Sequence, residues 1–378
     1  MTVAGLLITC AAAALVVGGP LTPPAGPVAS SYKTLAEIEP RIAINATNTP
    51  GDVDSVFRIT QPGSYYLTEN FTVPSGKAGI EVSSHNVNID LGGFVISGTA
   101  GSYRGVWTTS TYDSVRVRNG TVQGLGSHGV DLYSSHGGGI ENVHARGCGG
   151  YGISSNDGGY LRSCSATGCT TAGFYVYVNT VAESCNAVNN QGMGFDVPYG
   201  ATLSHCRADG NAGDGFNGDT ASLDHCVASG NGGDGFWFDT ATVIAECQSR
   251  WNTQVGIRTG TNCTVRECLV AGNTQQGIYV DTSCSVMRNQ VRDNGGITYA
   301  GIWLSGMQNR AEENECTDNA YGLFISGSYN FAARNTCRNN SQGNFNAYNA
   351  SLQEVAPIVT NPGPNGFAGA TPWSNFAY

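Results

Sequence analysis

Residues 206–256 read CRADGNAGDGFNGDTASLDHCVASGNGGDGFWFDTATVIAECQSRWNTQVG. A cysteine recurs at 206, 226 and 247, and each is followed by an asparagine after five residues and a glycine after nine. Repetition at a fixed short period is the mark of a repeat protein, in which each turn packs only on its neighbours. The fold is therefore a stack of units about 21 residues long.

The same three columns extend in both directions along the chain. The cysteine column comprises Cys164, Cys185, Cys206, Cys226, Cys247 and Cys268, and it continues as Asn289, Asn314 and Asn335. The asparagine column comprises Asn190, Asn211, Asn231, Asn252, Asn273, Asn294, Asn319 and Asn340. The glycine column runs from Gly129 to Gly343. Asparagine suits the turns of such a stack, since it tolerates the left-handed conformation and its amide can bond the turns above and below.

Each repeat contains three short strands. An apolar residue and about five alternating residues follow each glycine, a second strand such as 241–244 precedes the cysteine, and a third follows it. This pattern predicts an all-β fold, a right-handed single-stranded parallel β-helix of about ten to eleven coils.

Residues 80–350 resemble the pectin-lyase-like superfamily of right-handed parallel β-helices, in its secreted bacterial form. The resemblance implies the fold more strongly than any activity, because the same coil serves lyases, hydrolases, epimerases, adhesins and phage spikes. We assign residues 31–80 to an N-terminal cap, 81–350 to the helix, and 351–378 to a proline-rich C-terminal tail that covers the helix or moves freely.

Composition excludes several classes of protein. The 378 residues include 53 glycines, only 12% are charged, and the net charge is −10. The apolar content of 40% excludes a disordered chain. An acidic chain without a basic block is a poor ligand for nucleic acid or anionic membranes, so neither is expected as a partner.

The N-terminus predicts export. Residues 2–19 form an apolar run without a charge, and a stretch rich in Pro, Ala and Ser follows. Residues 1–30 therefore read as a signal peptide, although no basic residue stands near Met1. The alternative is an uncleaved apolar segment, and no later segment is long enough for a transmembrane span. We expect a secreted or cell-envelope protein.

The cysteines other than Cys10 fall into a ladder of six and three pairs one turn apart. The pairs are Cys148 with Cys169, Cys263 with Cys284, and Cys316 with Cys337. In an exported protein such pairs can form disulfides, whereas a ladder of small apolar thiols can equally remain reduced. We expect free thiols in the ladder and bridges in the three pairs.

One outward strip of the helix has the residue types of a sugar-binding groove. The residues two and four after each glycine point outward, and they combine aromatic rings with carboxylates, which suit pyranose faces and hydroxyls. The candidate substrate-binding residues are Tyr175, Tyr177, Asp196, Asn217, Trp237, Tyr279 and Trp303. They follow the axis of the rod, so a polymeric ligand is expected.

Polygalacturonases of this superfamily place an Asp directly before the glycine of this strand. Asp214 and Asp234 resemble that placement, which implies catalytic carboxylates. The family's paired-Asp and Arg-Ile-Lys elements are absent. A lyase would instead use Arg258 as base, with Ca²⁺ held by Asp219, Asp239 or Asp281 against a uronate. The opposing interpretation is that these Asp residues are solvated turn formers.

These patterns leave two classes of function open. The first is an exported protein that engages polysaccharide or a cell-surface glycan, as a lyase, a hydrolase or a non-catalytic binder. It requires no cofactor apart from the optional Ca²⁺. The second is a structural, adhesive or filament-forming protein of the cell envelope that self-associates.

Overall fold

The computed structural model describes residues 40–348, 353–360 and 370–378, and the predicted signal segment 1–30 lies outside them. The described chain is all-β, without a helix, and its strands pair in parallel within two sheets. The prediction of an all-β parallel helix is confirmed.

The smaller sheet, here called sheet 2, contains one strand from each turn. Its fourteen strands are Ser55–Ile59, Ala78–Val82, Val106–Thr108, Val130–Asp131, Tyr151–Ser154, Ala172–Tyr175, Met193–Val197, Phe216–Gly218, Phe236–Thr240, Ile257–Thr261, Ile278–Thr282, Ala300–Leu304, Tyr321–Ile325 and Gly343–Ala347. The predicted ten to eleven coils are therefore too few. The first turns escape the pattern because they are longer than 21 residues and lack the cysteine and asparagine columns. Phe57 pairs with Ile80, 23 residues later, and Ile80 pairs with Val106, 26 residues later.

The larger sheet, here called sheet 1, contains the other strands of each turn. Its 28 strands are Ile42–Ile44, Gly63–Leu67, Phe71–Val73, Val87–Asp90, Val95–Gly98, Asp113–Gln123, His136–Arg146, Tyr160–Arg162, Ser165–Thr167, Val181–Glu183, Asn186–Val188, Ala201–Ser204, Arg207–Asp209, Ala221–Asp224, Val227–Ser229, Val243–Ala245, Gln248–Arg250, Thr264–Arg266, Leu269–Ala271, Ser285–Met287, Gln290–Arg292, Arg310–Glu312, Glu315–Thr317, Phe331–Ala333, Thr336–Arg338, Glu354–Val355, Ile358–Thr360 and Asn375–Ala377.

A single turn shows how the sequence makes the coil. Phe236–Thr240 belongs to sheet 2, and Val243–Ala245 and Gln248–Arg250 belong to sheet 1, as the three-strand pattern predicts. Glu246, with φ of 52°, sits in the left-handed region between the two sheet 1 strands. One left-handed residue turns the chain sharply, so the next strand starts in a new direction.

Both ends of the described chain take part in the stack. Ile42–Ile44 pairs with Gly63–Leu67 at the start. Near the C-terminus, Asn375–Ala377 pairs with Thr336–Arg338. Asn375–Ala377 lies within the segment 351–378 that the sequence assigns to a tail. Gly343 pairs with Tyr321 rather than with Gly322, so the last strand of sheet 2 is shifted by one residue from the glycine column.

The core is a set of stacked side-chain columns. Phe174, Phe195, Phe216 and Phe236 are fully buried, and their rings stack at centroid distances of 4.7–4.9 Å with interplanar angles of 3–7°. The spacing equals the distance between neighbouring strands, because each ring rests on the ring one turn away.

The asparagine column forms a buried hydrogen-bonded ladder. Asn231 donates from Nδ2 to Oδ1 of Asn252 (2.9 Å) and to the Ala208 carbonyl (3.2 Å). Its own Oδ1 accepts from the backbone N–H and Nδ2 of Asn211 at 3.1 and 2.9 Å. The predicted bonding between turns is confirmed. The left-handed residue is the one before it, Gly230, rather than the asparagine itself.

All twelve described cysteines are buried and free, so the predicted bridges in the three pairs are not formed. The six paired cysteines lie in the core, as the ladder of six does. Cys169 donates its backbone N–H to Oδ1 of Asn190, and Cys284 donates its backbone N–H to Oδ1 of Asn309. Each of these cysteines therefore occupies the next position of an asparagine ladder. Small apolar thiols fill these positions and suit the core.

The glycine column is imposed by crowding, which gives a testable prediction. A Cβ added at Gly215 would lie 2.6 Å from the Gly235 carbonyl oxygen and 2.8 Å from Nδ2 of Asn231. Gly215→Ala should therefore lower the free energy of unfolding by about 2 kcal/mol, as overpacking does. Ala212→Gly, at an exposed site, is the control and should change stability less. Gly147→Ala would not serve, because Gly147 has a left-handed φ of 57° that strains any other residue. Guanidinium denaturation checks this, and equal midpoints for Gly215→Ala and the unmodified protein would contradict it.

Candidate functional site

The outer face of sheet 2 is the candidate site. Along Phe236–Thr240, Phe236 and Phe238 are buried whereas Trp237 and Asp239 are exposed, so the positions two and four after the glycine face outward as predicted. Because the strands are in register, each position forms a column along the rod.

Of the three predicted catalytic residues, Asp234 contacts both of the others. The side chain of Asp234 is only 3% exposed, and its Oδ2 lies 2.6 Å from Nε of Arg258. Its Oδ1 accepts the Val255 backbone N–H at 2.7 Å. Asp214 accepts the Asp234 backbone N–H at 2.6 Å and Nδ2 of Asn217 at 2.8 Å.

Burial raises the pKa of Asp234, against the opposing effect of the Arg258 guanidinium. Both carboxylate oxygens of Asp234 are already occupied by protein donors, and Arg258 also stands 5.5 Å from the Tyr279 ring. This geometry is that of a buried ion pair that holds two neighbouring turns together. The assignment of Asp214, Asp234 and Arg258 to catalysis stays a prediction.

The three predicted Ca²⁺ ligands are spread along the face. Asp219 accepts the Thr240 hydroxyl at 2.6 Å, and Asp239 stands one turn further. Gly260 occupies the next turn, so Asp281 is two turns from Asp239, about 10 Å by stacking. Within the described ranges, the one group of three side chains close enough to hold a metal ion is Asp224, His225 and Glu246, on the sheet 1 side.

The predicted substrate-binding residues separate into two groups of rings. Tyr175 and Tyr177 pack with Tyr133, at centroid distances of 5.7 and 4.8 Å. Further along, Tyr279 and Trp303 meet edge to face at 5.6 Å, with their polar ends bonded to Ser305 and Ser326.

Trp237 lies between the two groups of rings and is 46% exposed. The remaining predicted members are polar. Asn217 is bonded to Asp214. Asp196 is bonded to Tyr151, which is not among the predicted site residues.

Tyr151 lines a depression of about 300 Å³ that was not predicted from the sequence. Its lining residues are Arg104, His128, Asp131, Tyr133, Tyr151, Ser154 and Tyr175. The Tyr151 hydroxyl donates to Asp196 at 2.9 Å, and burial together with this carboxylate raises the Tyr151 pKa. Burial likewise raises the pKa of Tyr175 to about 12.

Arg104, Asp131 and His128 also line this depression. Nε of Arg104 lies 2.8 Å from Asp131, and its guanidinium covers the Trp107 ring at 5.0 Å. Nδ1 of His128 accepts the Tyr151 backbone N–H at 2.9 Å, and burial lowers the pKa of His128. The imidazole is therefore neutral near pH 7.

A second depression of about 390 Å³ adjoins the first through their shared residue Arg104. Arg58 and Glu81 line it together with Trp107. A signal for these residues was present in the sequence. Arg104, His128 and Tyr151 stand directly before a glycine, in the same column as Asp214 and Asp234.

The sequence matches the family model described as the right handed beta helix region over residues 63–222 and 160–302. The chain belongs to this family. The membership confirms the pectin-lyase-like β-helix that the sequence resembles. No curated protein gives a significant match.

Two solved structures share the β-helix fold. The A-module of the mannuronan C-5 epimerase AlgE6 of Azotobacter vinelandii is 17% identical, with a TM-score of 0.54, and the match covers 84% of this chain and 91% of that one. The A-module of AlgE4 of the same organism is 16% identical, with a TM-score of 0.52 and the same coverage. Likeness at this identity is a likeness of fold. Among the described residues, no helix is long and apolar enough to cross a membrane.

Proposed function

We propose that this β-helix protein is exported and binds polysaccharide along the outer face of sheet 2. The observation that carries the proposal is the row of aromatic rings on that face, which borders two adjoining depressions. Rings offer flat apolar surfaces for sugar faces, and the neighbouring hydroxyls and carboxylates bond sugar hydroxyls. The row follows the rod axis, so it suits a polymer rather than a small molecule.

The proposal is binding rather than cleavage. The carboxylate of Asp234 bonds Arg258 and the Val255 backbone N–H, so it is not aimed at a ligand. The two solved structures compared above are modules of epimerases that, by name, act on mannuronan, and a polysaccharide ligand is consistent with that likeness of fold. The apolar segment 2–19 supports export.

Retention on immobilised polysaccharides tests the proposal. Trp237→Ala should weaken binding about tenfold, because loss of a central exposed aromatic typically costs more than 1 kcal/mol. Trp251→Ala is the matched control, since Trp251 is 65% exposed but lies in a turn outside sheet 2. It should bind as the unmodified protein does.

Three other results have defined meanings. Equal losses for Trp237→Ala and Trp251→Ala would contradict the assignment of the face. New reducing ends or unsaturated products would show a hydrolase or lyase. Filaments in electron micrographs of the purified protein, without retention on any glycan, would favour the structural or adhesive alternative.

A further inference from the structure

Every arginine on the outer face of sheet 2 within the described chain is paired with a carboxylate. Arg58 lies 2.9 Å from Glu81, Arg104 lies 2.8 Å from Asp131, and Arg258 lies 2.6 Å from Asp234. The positive charge of each guanidinium is thus offset by a carboxylate, so these pairs add no net positive charge to the face.

The other basic groups beside sheet 2 are also engaged. Lys77, directly before Ala78–Val82, donates its ammonium to the backbone carbonyls of Asp52 and Ser55. Nδ1 of His128 accepts the Tyr151 backbone N–H, and burial lowers the pKa of this imidazole. Among the described residues, the basic groups of this face are therefore opposed by carboxylates or bonded to backbone groups.

Carboxylates on the same face are in excess. Five of them have no arginine or lysine in an ion pair with them: Asp196, Asp214, Asp219, Asp239 and Asp281. Asp239 and Asp281 are exposed and flank the rings of Trp237 and Tyr279 along the row. The local field is thus negative where a glycan would lie, and the chain as a whole adds to it.

We infer that the outer face of sheet 2 takes an uncharged polysaccharide and rejects polyuronates; this inference rests on the proposed function. A neutral glycan presents hydroxyl donors to the unpaired carboxylates and apolar ring faces to the aromatics. A polyuronate places a carboxylate on every residue against this field, and like charges in a partly desolvated groove repel.

A bridging cation is the route by which a uronate could still bind. Such a site needs several carboxylates converging on one point. In the described part of the chain, three side chains converge at Asp224, His225 and Glu246, but not on the outer face of sheet 2. The face is therefore not built around a cation.

The experiment compares retention on an immobilised neutral glucan, mannan and xylan with retention on polygalacturonate and alginate. It is run in EDTA and in Ca²⁺, each at low and at high salt. We expect retention on at least one neutral glycan that changes less than twofold between low and high salt. Neither polyuronate should retain the protein under either condition, since repulsion at low salt is least screened.

Charge reversal sharpens the test. Asp239→Lys replaces an exposed carboxylate beside Trp237 with an ammonium and should produce polyuronate retention that salt abolishes. Glu183→Lys makes the same change in net charge on sheet 1, at a residue 50% exposed, and should produce none.

Each remaining outcome overturns a defined claim. Polyuronate retention in EDTA by the unmodified protein overturns the inference while leaving polysaccharide binding intact. Retention that requires Ca²⁺ also overturns it and favours Asp219, Asp239 and Asp281 as ligands. Retention on no polysaccharide overturns the proposed function and this inference together.

Discussion

Asn231→Ala should lower the free energy of unfolding by about 4 kcal/mol. Asn231 is fully buried, and its amide bonds Asn252 and Ala208 while its oxygen accepts two donors from Asn211. Removal of the side chain breaks these four buried hydrogen bonds, at about 1 kcal/mol each, and leaves the backbone N–H of Asn211 without its acceptor. The midpoint of guanidinium denaturation measures the loss.

Asn186→Ala is the matched control for this ladder variant. Asn186 is exposed on sheet 1, so the same change should shift stability by less than about 0.5 kcal/mol. A difference of under 1 kcal/mol between the two variants would mean that the ladder is not what holds the turns together.

Arg258→Ala should lower stability by about 3 kcal/mol at pH 7. The variant leaves the buried carboxylate of Asp234 without its partner, and breaking a buried pair costs more than the pair contributes. Adding Asp234→Asn to this variant should restore most of the loss, because a neutral amide needs no counter-charge. If the ion pair has a structural role, the double variant must be more stable than Arg258→Ala alone.

The pH dependence of Arg258→Ala has a definite sign. Burial already raises the pKa of Asp234 in the folded protein, and loss of the guanidinium raises it further. A group with a raised folded pKa favours folding below its unfolded pKa and loses that contribution as the pH rises through the folded pKa. The loss in free energy of unfolding of Arg258→Ala, relative to the unmodified protein, should therefore be largest near pH 7 and shrink toward pH 4. A deficit that grows on acidification would contradict the buried ion pair.

The periodic columns were predictable because stacking repeats one environment at a fixed interval. Phe216 and Asn231 meet the same neighbours as Phe195 and Asn211, so their roles follow from spacing alone. The number of turns was not predictable, since the strands around Phe57 and Ile80 repeat at irregular intervals.

The candidate site was predictable only in part. The outward strip was found from alternation, and Trp237 is exposed as expected. The ion pair of Arg258 with Asp234 joins residues 24 apart, and the bond from Tyr151 to Asp196 joins residues 45 apart. No periodic rule says which of several outward groups will meet.

The sequence by itself determined the parallel β-helix, its three strands per turn and the buried asparagine ladder, because each depends on a pattern that repeats with the coil. Only the tertiary structure decided that the cysteine pairs stay buried as thiols and that the arginines of sheet 2 are neutralised. The physical reason is that partner choice depends on side-chain reach across turns and on burial. Residues such as Arg104 and Tyr151 acquire their roles from neighbours one or more turns away.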